Sequence, residues 1–246
     1  ERVGRMNDHY AILLAGGKGT RMNSPETDKL LAPLHNTNAF RLSYEAFLGT
    51  EKINNAIIVY REREQKDNLM KEILTAHEHS NREFDPIFVK GGKERRDSVS
   101  NALMNCPANC EFVYVHDCAR PMIKKETIDE MGKVVSVTGA VVIARPVQDT
   151  IKEIEDFDTM DISKPYPTKS INRSKLWIME TPQVAKKEWL VQGMTIALEK
   201  KLVITDEVSA LELIGKKVSL LNPEYPNPKI TSHSDWPYLK FLLSSK

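Results

Sequence analysis

Cysteine is scarce in this chain, and so are long apolar runs and any excess of charge of one sign. The 246 residues include only three cysteines, a sparse and odd set that suits a reducing compartment better than a disulfide framework. No apolar stretch is long enough to cross a bilayer, and the charged segment 1–5 lacks the apolar core of a signal peptide. The net charge of +1 argues against a nucleic-acid coat or a polybasic membrane anchor. We therefore expect a cytoplasmic protein with no nucleic-acid or membrane partner, although a plastid form without its transit peptide would look the same.

What the sequence does contain is a regular alternation of apolar runs with amphipathic stretches. Strands are predicted at 10–14, 56–60, 86–89, 112–115, 140–144 and 218–221. Helices are predicted at 38–48, 62–79, 97–103, 186–200, 206–214 and 234–243. This alternation predicts an α/β fold with a mostly parallel sheet and helices on both faces. In such sheets ligands bind beyond the carboxyl ends of the strands.

The alternation breaks between Pro146 and Pro182. Residues 150–154 alternate as a hairpin or edge strand would, and the polar, proline-bearing stretch 156–168 follows. We interpret 146–182 as a protruding β-arm of a single domain that spans residues 1–246. Because an arm of this kind cannot bury both of its faces alone, we expect it to pack on a second subunit.

A glycine-rich loop after the first strand is the most informative local feature. The loop reads Ala15-Gly16-Gly17-Lys18-Gly19-Thr20-Arg21, and glycines let backbone N–H groups approach a phosphate closely. Lys18, Arg21 and the later Lys29 can neutralise phosphate charge. The spacing matches neither GxxxxGK followed by Ser or Thr nor GxGxxG. A purely structural turn would use the same glycines, so this loop alone does not decide between the two interpretations.

Four later segments fit the same kind of site. Residues 91–98 form a second glycine turn that enters a helix, and 115–121 place an acid and an arginine at a strand end. Residues 205–207 begin a helix, and 227–231 carry a lysine in a late loop. Each has a simpler explanation when taken alone: a turn, a salt bridge, a helix cap or a solvated lysine.

Three details stay open at this point. Arg95 and Arg96 fit a phosphate contact and a solvated helix start equally well. His116 fits packing or hydrogen bonding at least as well as proton transfer. The spacing of Cys106 and Cys110 occurs in metal sites, but no second pair of ligands follows, so small apolar residues near a helix end are the better interpretation.

In their order along the chain, these motifs resemble those of one family. The matching segments are AGGKGTRM, Lys29, GGKERRDSV, VHDCARP, PVQDTIK, NRSKLW with TPQ, TDEVSALE and NPKIT. They are similar to the motifs of the 2-C-methyl-D-erythritol 4-phosphate cytidylyltransferases, enzymes of non-mevalonate isoprenoid precursor synthesis. The resemblance implies a Rossmann-like nucleotidyltransferase and a homodimer clasped by β-arms. It also implies magnesium-dependent transfer of CMP from CTP to the methylerythritol phosphate, with release of pyrophosphate.

The resemblance also implies roles for individual residues. The catalytic cations would be Arg21, Lys29 and Lys229. The nucleotide would be bound by Ala15, Gly16, Gly17, Gly92, Ser98 and Cys118, the last at a position that is often alanine in the family. Asp117 would approach both the Mg²⁺ ion and the substrate. The acceptor side would comprise Arg120, Thr150, Arg173, Thr181 and Thr205, with Thr150 and Arg173 supplied by the partner's arm.

Three alternatives compete with this hypothesis. A ribitol-5-phosphate cytidylyltransferase would share the fold and the nucleotide site, although PVQDTIK and VHDCARP are more similar to the methylerythritol group. A scaffold that has lost catalysis would not need Arg21, Lys29, Asp117 and Lys229 together. A structural protein would leave that clustering unexplained. The segment 24–28 also departs from the usual family pattern, so the reach of Lys29 into the site is a point for the structure to test.

Overall fold

A computed structural model describes residues 8–17, 28–154 and 163–244. Within these ranges the α-helices are α1 (Ala39–Leu48), α2 (Arg63–Glu78), α3 (Arg95–Met104), α4 (Lys125–Thr138), α5 (Lys187–Glu199), α6 (Glu207–Glu212) and α7 (Asp235–Ser244). The strands are β1 (Asp8–Leu14), β2 (Pro33–Leu34), β3 (Thr37–Asn38), β4 (Asn55–Tyr60), β5 (Ile87–Lys90), β6 (Cys110–Asp117), β7 (Ala140–Pro146), β8 (Lys152–Ile154), β9 (Thr168–Ser170), β10 (Trp177–Lys186) and β11 (Ser219–Leu221). Lys18 and Arg21 lie outside the described residues.

A seven-stranded sheet in the order β11-β7-β10-β6-β1-β4-β5 forms the centre of the fold. Strand β1 pairs in parallel with both β4 and β6, and β5 and β11 join their neighbours in parallel as well. Successive side chains of a strand point to opposite faces. Ile12 accordingly packs into one apolar cluster and Leu13 into the other, and both are fully buried. The predicted α/β fold with a mostly parallel sheet is confirmed.

Helices cover both faces of this sheet, as predicted. Phe40 of α1, Ile128 of α4 and Leu239 of α7 belong to the cluster on one face, together with residues of α2. Val99 of α3 and Leu190 of α5 belong to the cluster on the other face, together with residues of α6. In the part of the chain that the structure describes, no helix has both the length and the apolar character needed to span a membrane.

Two long elements of the fold were not predicted from the sequence. Helix α4 occupies a stretch for which no element is predicted, and it is capped by Gly139, whose φ of 81° is in the left-handed region. Strand β10 lies antiparallel between β6 and β7, with an irregular register between Met179 and Gln183. The excursion from the main sheet is therefore shorter than the predicted 146–182. It begins after Pro146 and ends before Trp177, the two residues that pair across the base.

The excursion contains a small antiparallel sheet of its own. Strands β8 and β9 pair through Lys152 with Ser170 and through Ile154 with Thr168, and the residues of both strands are exposed. Ile151 and Ile154 are apolar, yet they are 37% and 41% exposed. We call residues 147–176 the arm; of these, 155–162 lie outside the described residues.

Candidate functional site

The carboxyl ends of β1, β4, β5 and β6 open into a cavity of about 630 Å³. Its walls come from the segments that follow these strands and from the late loop before α7. The polar and glycine residues that line it are Gly16, Gly17, Lys29, Arg61, Lys90, Gly91, Gly92, Lys93, Glu94, Arg95, Ser98, Asp117 and Lys229. This edge of the sheet is where α/β proteins of this architecture bind ligands.

Asp117 lies at the end of β6, between two cations. Its Oδ2 atom is 2.5 Å from Lys229 Nζ, and its Oδ1 atom is 3.3 Å from Arg95 Nε. Burial alone would raise the pKa of this carboxyl, but the charges of Arg95 and Lys229 outweigh burial and hold the pKa well below its usual value. The Asp117 carboxylate is therefore ionised throughout the physiological pH range.

A fully buried carboxylate, Glu207, lies on the far side of Arg95. Glu207 is 1% exposed and accepts two hydrogen bonds from Arg95, of 2.6 Å to Nη1 and 2.9 Å to Nη2. Although burial opposes the charge, Glu207 and Asp117 raise the pKa of the Arg95 guanidinium above its usual value. The pair with Glu207 shows that Arg95 is not merely a solvated helix start, and its contact with phosphate stays a prediction. Arg95 lines the cavity, but it is ion-paired on both sides.

The second glycine turn is closed by hydrogen bonds at the wall of the cavity. Gly92 N donates to Ser98 Oγ over 3.0 Å, and Ser98 Oγ donates in turn to Glu94 O over 3.2 Å. A Cβ atom on Gly92 would lie 2.2 Å from Cβ of Asp97, so the turn has room for glycine alone. Gly92 and Ser98 both line the cavity, as the resemblance implies.

The first glycine turn joins the same cavity. Ala15 N donates to Val59 O over 2.9 Å, which ties the end of β1 to β4, and Gly16 and Gly17 then line the wall. Ala15 and Cys118 are fully buried and belong to the apolar core. The Cys118 thiol thus has no surface in the cavity.

Lys29 reaches the cavity in spite of the unusual segment before it. Its Nζ donates to Ile230 O over 3.1 Å, and Ile230 N donates to Ala119 O over 2.8 Å. Asp28 fixes the turn from which the lysine extends, because its Oδ1 accepts from Leu30 N over 2.9 Å. Lys29 and Lys229 therefore approach the cavity from two different segments of the chain.

A buried hydrogen-bond chain supports Asp117 from behind. Asp117 N donates to Thr181 Oγ1 over 3.0 Å, and Thr181 Oγ1 is 3.1 Å from His116 Nδ1. His116 Nε2 is 3.2 Å from Arg120 O, and a carbonyl only accepts, so Nε2 carries the proton. His116 Nδ1 is then an acceptor, and the Thr181 hydroxyl donates its hydrogen bond to it. Burial lowers the pKa of His116 to about 3, so this histidine is neutral and supports the hydrogen-bonding interpretation.

The predicted acceptor-side residues do not all gather at the cavity. Arg120 Nη1 donates to Asn227 O over 2.8 Å beside the cavity, and Thr181 is buried behind it. Thr205 is exposed at the start of α6, where its hydroxyl is 3.3 Å from Ser209 Oγ. Thr150 and Arg173 are exposed on the arm, and neither lines the cavity of its own chain.

Several cavity residues were absent from the predicted site. Arg61 and Lys90 stand at the ends of β4 and β5, and Arg61 Nη1 donates to Gly17 O over 3.2 Å. Each directly follows a predicted strand, 56–60 or 86–89, and this position is the signal that could have identified them. Glu207 could not be found in this way, because its partner Arg95 is 112 residues away in the sequence.

Comparisons with known proteins agree with the motifs. The family model of the 2-C-methyl-D-erythritol 4-phosphate cytidylyltransferases matches residues 9–245. The enzyme of that name from Caldanaerobacter subterraneus is 35% identical over 92% of this chain and 94% of its own. The chloroplastic enzyme of rice is 31% identical over 96% of this chain and 74% of its own.

Solved structures of similarly named proteins share the fold. The 4-diphosphocytidyl-2C-methyl-D-erythritol synthase of Anaerococcus prevotii superposes with a TM-score of 0.79, at 21% identity over 97% of this chain and 99% of its own. The 2-C-methyl-D-erythritol 4-phosphate cytidylyltransferase of Francisella tularensis gives a TM-score of 0.75, at 22% identity over 95% of this chain and 99% of its own. The family match along nearly the whole sequence, on a fold with the expected cavity, shows that the chain belongs to the 2-C-methyl-D-erythritol 4-phosphate cytidylyltransferase family.

Proposed function

We propose that this protein transfers CMP from CTP to 2-C-methyl-D-erythritol 4-phosphate and releases pyrophosphate, a step of isoprenoid precursor synthesis. The main observation that supports this proposal is the set of residues that line the cavity. Two glycine turns and the cations Lys29 and Lys229 line it together with the ionised carboxylate of Asp117, at the carboxyl edge of the sheet. Family membership supplies the identity of the two substrates.

The reaction brings two anions together, so its main demand on the protein is electrostatic. A phosphate oxygen of the acceptor forms a bond to the α-phosphorus of CTP, and the bond from that phosphorus to the pyrophosphate oxygen breaks. Lys29 and Lys229 lower the energy of the transition state by offsetting negative charge on the α-phosphate and the leaving group. Backbone N–H groups of the glycine turns orient the triphosphate. Arg21 is proposed for the same role as the two lysines, on the resemblance alone.

Asp117 fits a role in holding the proposed Mg²⁺ ion. Among residues 8–17, 28–154 and 163–244, no cluster of three or more His, Cys, Asp or Glu side chains forms a metal cage. Mg²⁺ in nucleotide-dependent enzymes is held by one or two carboxylates together with substrate phosphates, and a single ionised aspartate in the cavity suits that arrangement. When bound, the ion would supply charge stabilisation on the phosphate oxygens. Asp117 is the described residue that would hold it, because its carboxylate has acceptor sites beyond those that Arg95 and Lys229 use.

The arm supports a proposed homodimer. Thr150 and Arg173, which the resemblance places on the acceptor side, are absent from the lining of their own chain's cavity, and apolar Ile154 is exposed on the same arm. We propose that the arm of each subunit reaches the cavity of the other. Replacing Ile154 with Asp should then yield monomers in sedimentation velocity and raise the KM for the acceptor. A fully dimeric variant with an unchanged KM would contradict this arrangement.

Pyrophosphate release tests the activity directly. The protein is incubated with Mg²⁺ and CTP, and methylerythritol phosphate is compared with ribitol 5-phosphate as the acceptor. A strong preference for methylerythritol phosphate is expected, whereas preference for ribitol phosphate would assign the chain to the rival activity. CTP binding without turnover of either acceptor would favour the scaffold.

Variants of lysine test the assigned chemistry. Lys29→Ala should reduce kcat by about 10²-fold or more, the usual scale for loss of one preorganised charge-stabilising group. Lys71→Ala removes an exposed lysine of α2 and serves as the matched control. Near-normal turnover of Lys29→Ala would remove the catalytic role of that residue.

A further inference from the structure

One buried side chain outside the resemblance motifs connects the separate pieces of the nucleotide site. Gln65, in the first turn of α2, is 3% exposed. Its Oε1 accepts from Arg61 N over 2.7 Å. Its Nε2 donates to Ala15 O over 2.9 Å and to Asp28 Oδ2 over 2.5 Å. The amide thus joins its own helix start to Ala15 and Asp28, which are 50 and 37 residues away in the sequence.

The three hydrogen-bond partners of Gln65 are residues that line the cavity or directly precede one that does. Ala15 precedes the glycines Gly16 and Gly17, and Asp28 precedes Lys29. Arg61 lines the cavity itself, donates to Gly17 O over 3.2 Å and lies 3.6 Å from Asp28 Oδ2. Gln65 therefore holds the two residues that flank the segment 16–27, which carries the first glycine turn.

The contact between Gln65 and Asp28 also affects the position of Lys29. While Oδ2 of Asp28 bonds to Gln65, its Oδ1 accepts from Leu30 N over 2.9 Å. The Asp28 carbonyl also accepts from the backbone N–H groups of residues 31 and 32, over 3.0 and 2.9 Å. The side chain and the backbone of Asp28 are thus both fixed, and the turn that presents Lys29 is fixed with them.

Only an amide satisfies all three partners of Gln65. Two of them, Ala15 O and the Asp28 carboxylate, need a donor, and Arg61 N needs an acceptor. The glutamine side chain has an NH₂ group that donates two hydrogen bonds and an oxygen that accepts. In a glutamate of the same shape, a carboxylate oxygen would replace the NH₂ group and would face the oxygens of Ala15 and Asp28 without a hydrogen between them. Because the site is buried, such a mismatch is not relieved by water.

We propose that Gln65 is a positioning residue of the nucleotide site: its amide sets the separation between the first glycine turn and Lys29. The proposal rests on the proposed function, since the group to be positioned is the triphosphate of CTP. Gln65 does not line the cavity, so it acts through Ala15, Asp28 and Arg61 and not on the substrate.

Two variants test the proposal. Gln65→Met keeps the length of the side chain and removes its hydrogen bonds, and Gln65→Glu replaces the donating NH₂ group with an accepting oxygen. Both are assayed well below their melting temperatures. We expect kcat/KM for CTP to fall at least about tenfold, because small displacements of a binding group have effects of that size or larger. The KM for the acceptor should stay within about twofold, since the acceptor contacts lie elsewhere. Gln192→Glu, on the exposed face of α5, is the control for the glutamine-to-glutamate change and should match the wild type.

A residue that served only to stabilise the fold would give a different result. It would lower the melting temperature and leave kcat/KM for CTP within about twofold of the wild type at low temperature, and that outcome for Gln65→Met would overturn the proposal. A double-mutant cycle with Asp28→Ala adds a second criterion. If Gln65 acts through Asp28, the double variant should lose little more activity than Asp28→Ala alone, whereas full additivity would contradict that route.

Direct measurement of CTP binding separates this proposal from the choice of acceptor. Titration calorimetry with CTP and Mg²⁺, without any acceptor, should show weaker binding by Gln65→Met than by the wild type. If the wild type binds CTP but turns over neither acceptor, the proposed function fails. CTP binding by the wild type and by Gln65→Met can still be compared, so the positioning role is tested independently. If Gln65→Met binds CTP as tightly as the wild type does, the positioning role fails.

Discussion

Replacing Glu207 with glutamine is expected to destabilise the protein well beyond the effect of an ordinary surface substitution. The substitution keeps the shape of the side chain and removes its charge, so one Arg95 N–H then faces the new amide N–H group instead of an oxygen. Breaking a buried ion pair by changing one partner costs about 3–5 kcal/mol. Arg95 is 29% exposed and keeps its contact with Asp117, which reduces the expected cost to about 2–3 kcal/mol.

Thermal and urea unfolding would measure this loss. For a chain of this length about 2–3 kcal/mol corresponds to a fall of about 5–10 °C in the melting temperature. Glu212→Gln, at the exposed end of the same helix, should change the free energy of unfolding by less than about 0.5 kcal/mol. The double variant Arg95→Met with Glu207→Met should lose less than the sum of the two single variants, because it leaves neither charge buried alone. A loss below about 1 kcal/mol for Glu207→Gln would refute the reasoning from burial.

Two further predictions concern stability. Burial lowers the pKa of His9 to about 4 and that of His116 to about 3, so on acidification the unfolded chain takes up these protons first. The free energy of unfolding should therefore fall as the pH drops from 6.5 towards 4, by up to about 1.4 kcal/mol per pH unit for each histidine. Urea unfolding at pH 7 and pH 5 checks this, and equal stability at both would contradict it. Gly139→Ala should cost about 2–5 kcal/mol, because φ is +81° and the new Cβ would lie 2.3 Å from Trp189. Gly215→Ala, with φ of +67° and open space around it, should cost only about 1 kcal/mol; equal costs in the two variants would show that the Trp189 contact is unimportant.

The elements that the sequence predicts are those with simple apolar periodicity. Strand β10 was missed because it contains Pro182 and the polar residues Glu180 and Gln183, which ordinarily indicate a loop. It occupies the middle of the sheet because those polar groups have partners: Arg145 bonds to Glu180 over 2.8 Å, and Gln183 Oε1 accepts two backbone N–H groups of α6. Partners this distant in sequence leave no local pattern.

Helix α4 was missed for a local reason. Its second half reads GKVVSVT, in which a glycine and three valines lower the helix propensity. The helix forms because Ile128, Met131 and Val135 lie at helical spacing and are fully buried against the sheet. Tertiary packing thus overrides the weak local preference.

The site was predicted unevenly for a related reason. Residues carried by motifs, such as Gly92, Ser98, Lys29 and Lys229, are at the cavity. Cys118 matches its motif position too, but the alternation of the chain at that turn directs its side chain into the core. Motif matching fixes the position of the backbone, whereas the direction and partners of a side chain depend on what the fold packs around it.

The pairing at the base of the arm has a consequence for how the chain is organised. Since Pro146 and Trp177 face each other across β7 and β10, the two strands form one antiparallel hairpin, and the arm is an insertion at its tip. A two-residue turn of the Asn-Gly type could join these strands directly. The length and composition of the arm can therefore vary without shifting the register of the central sheet. In this architecture the arm and the cavity are separate parts of the chain, and a change in one leaves the backbone of the other in place.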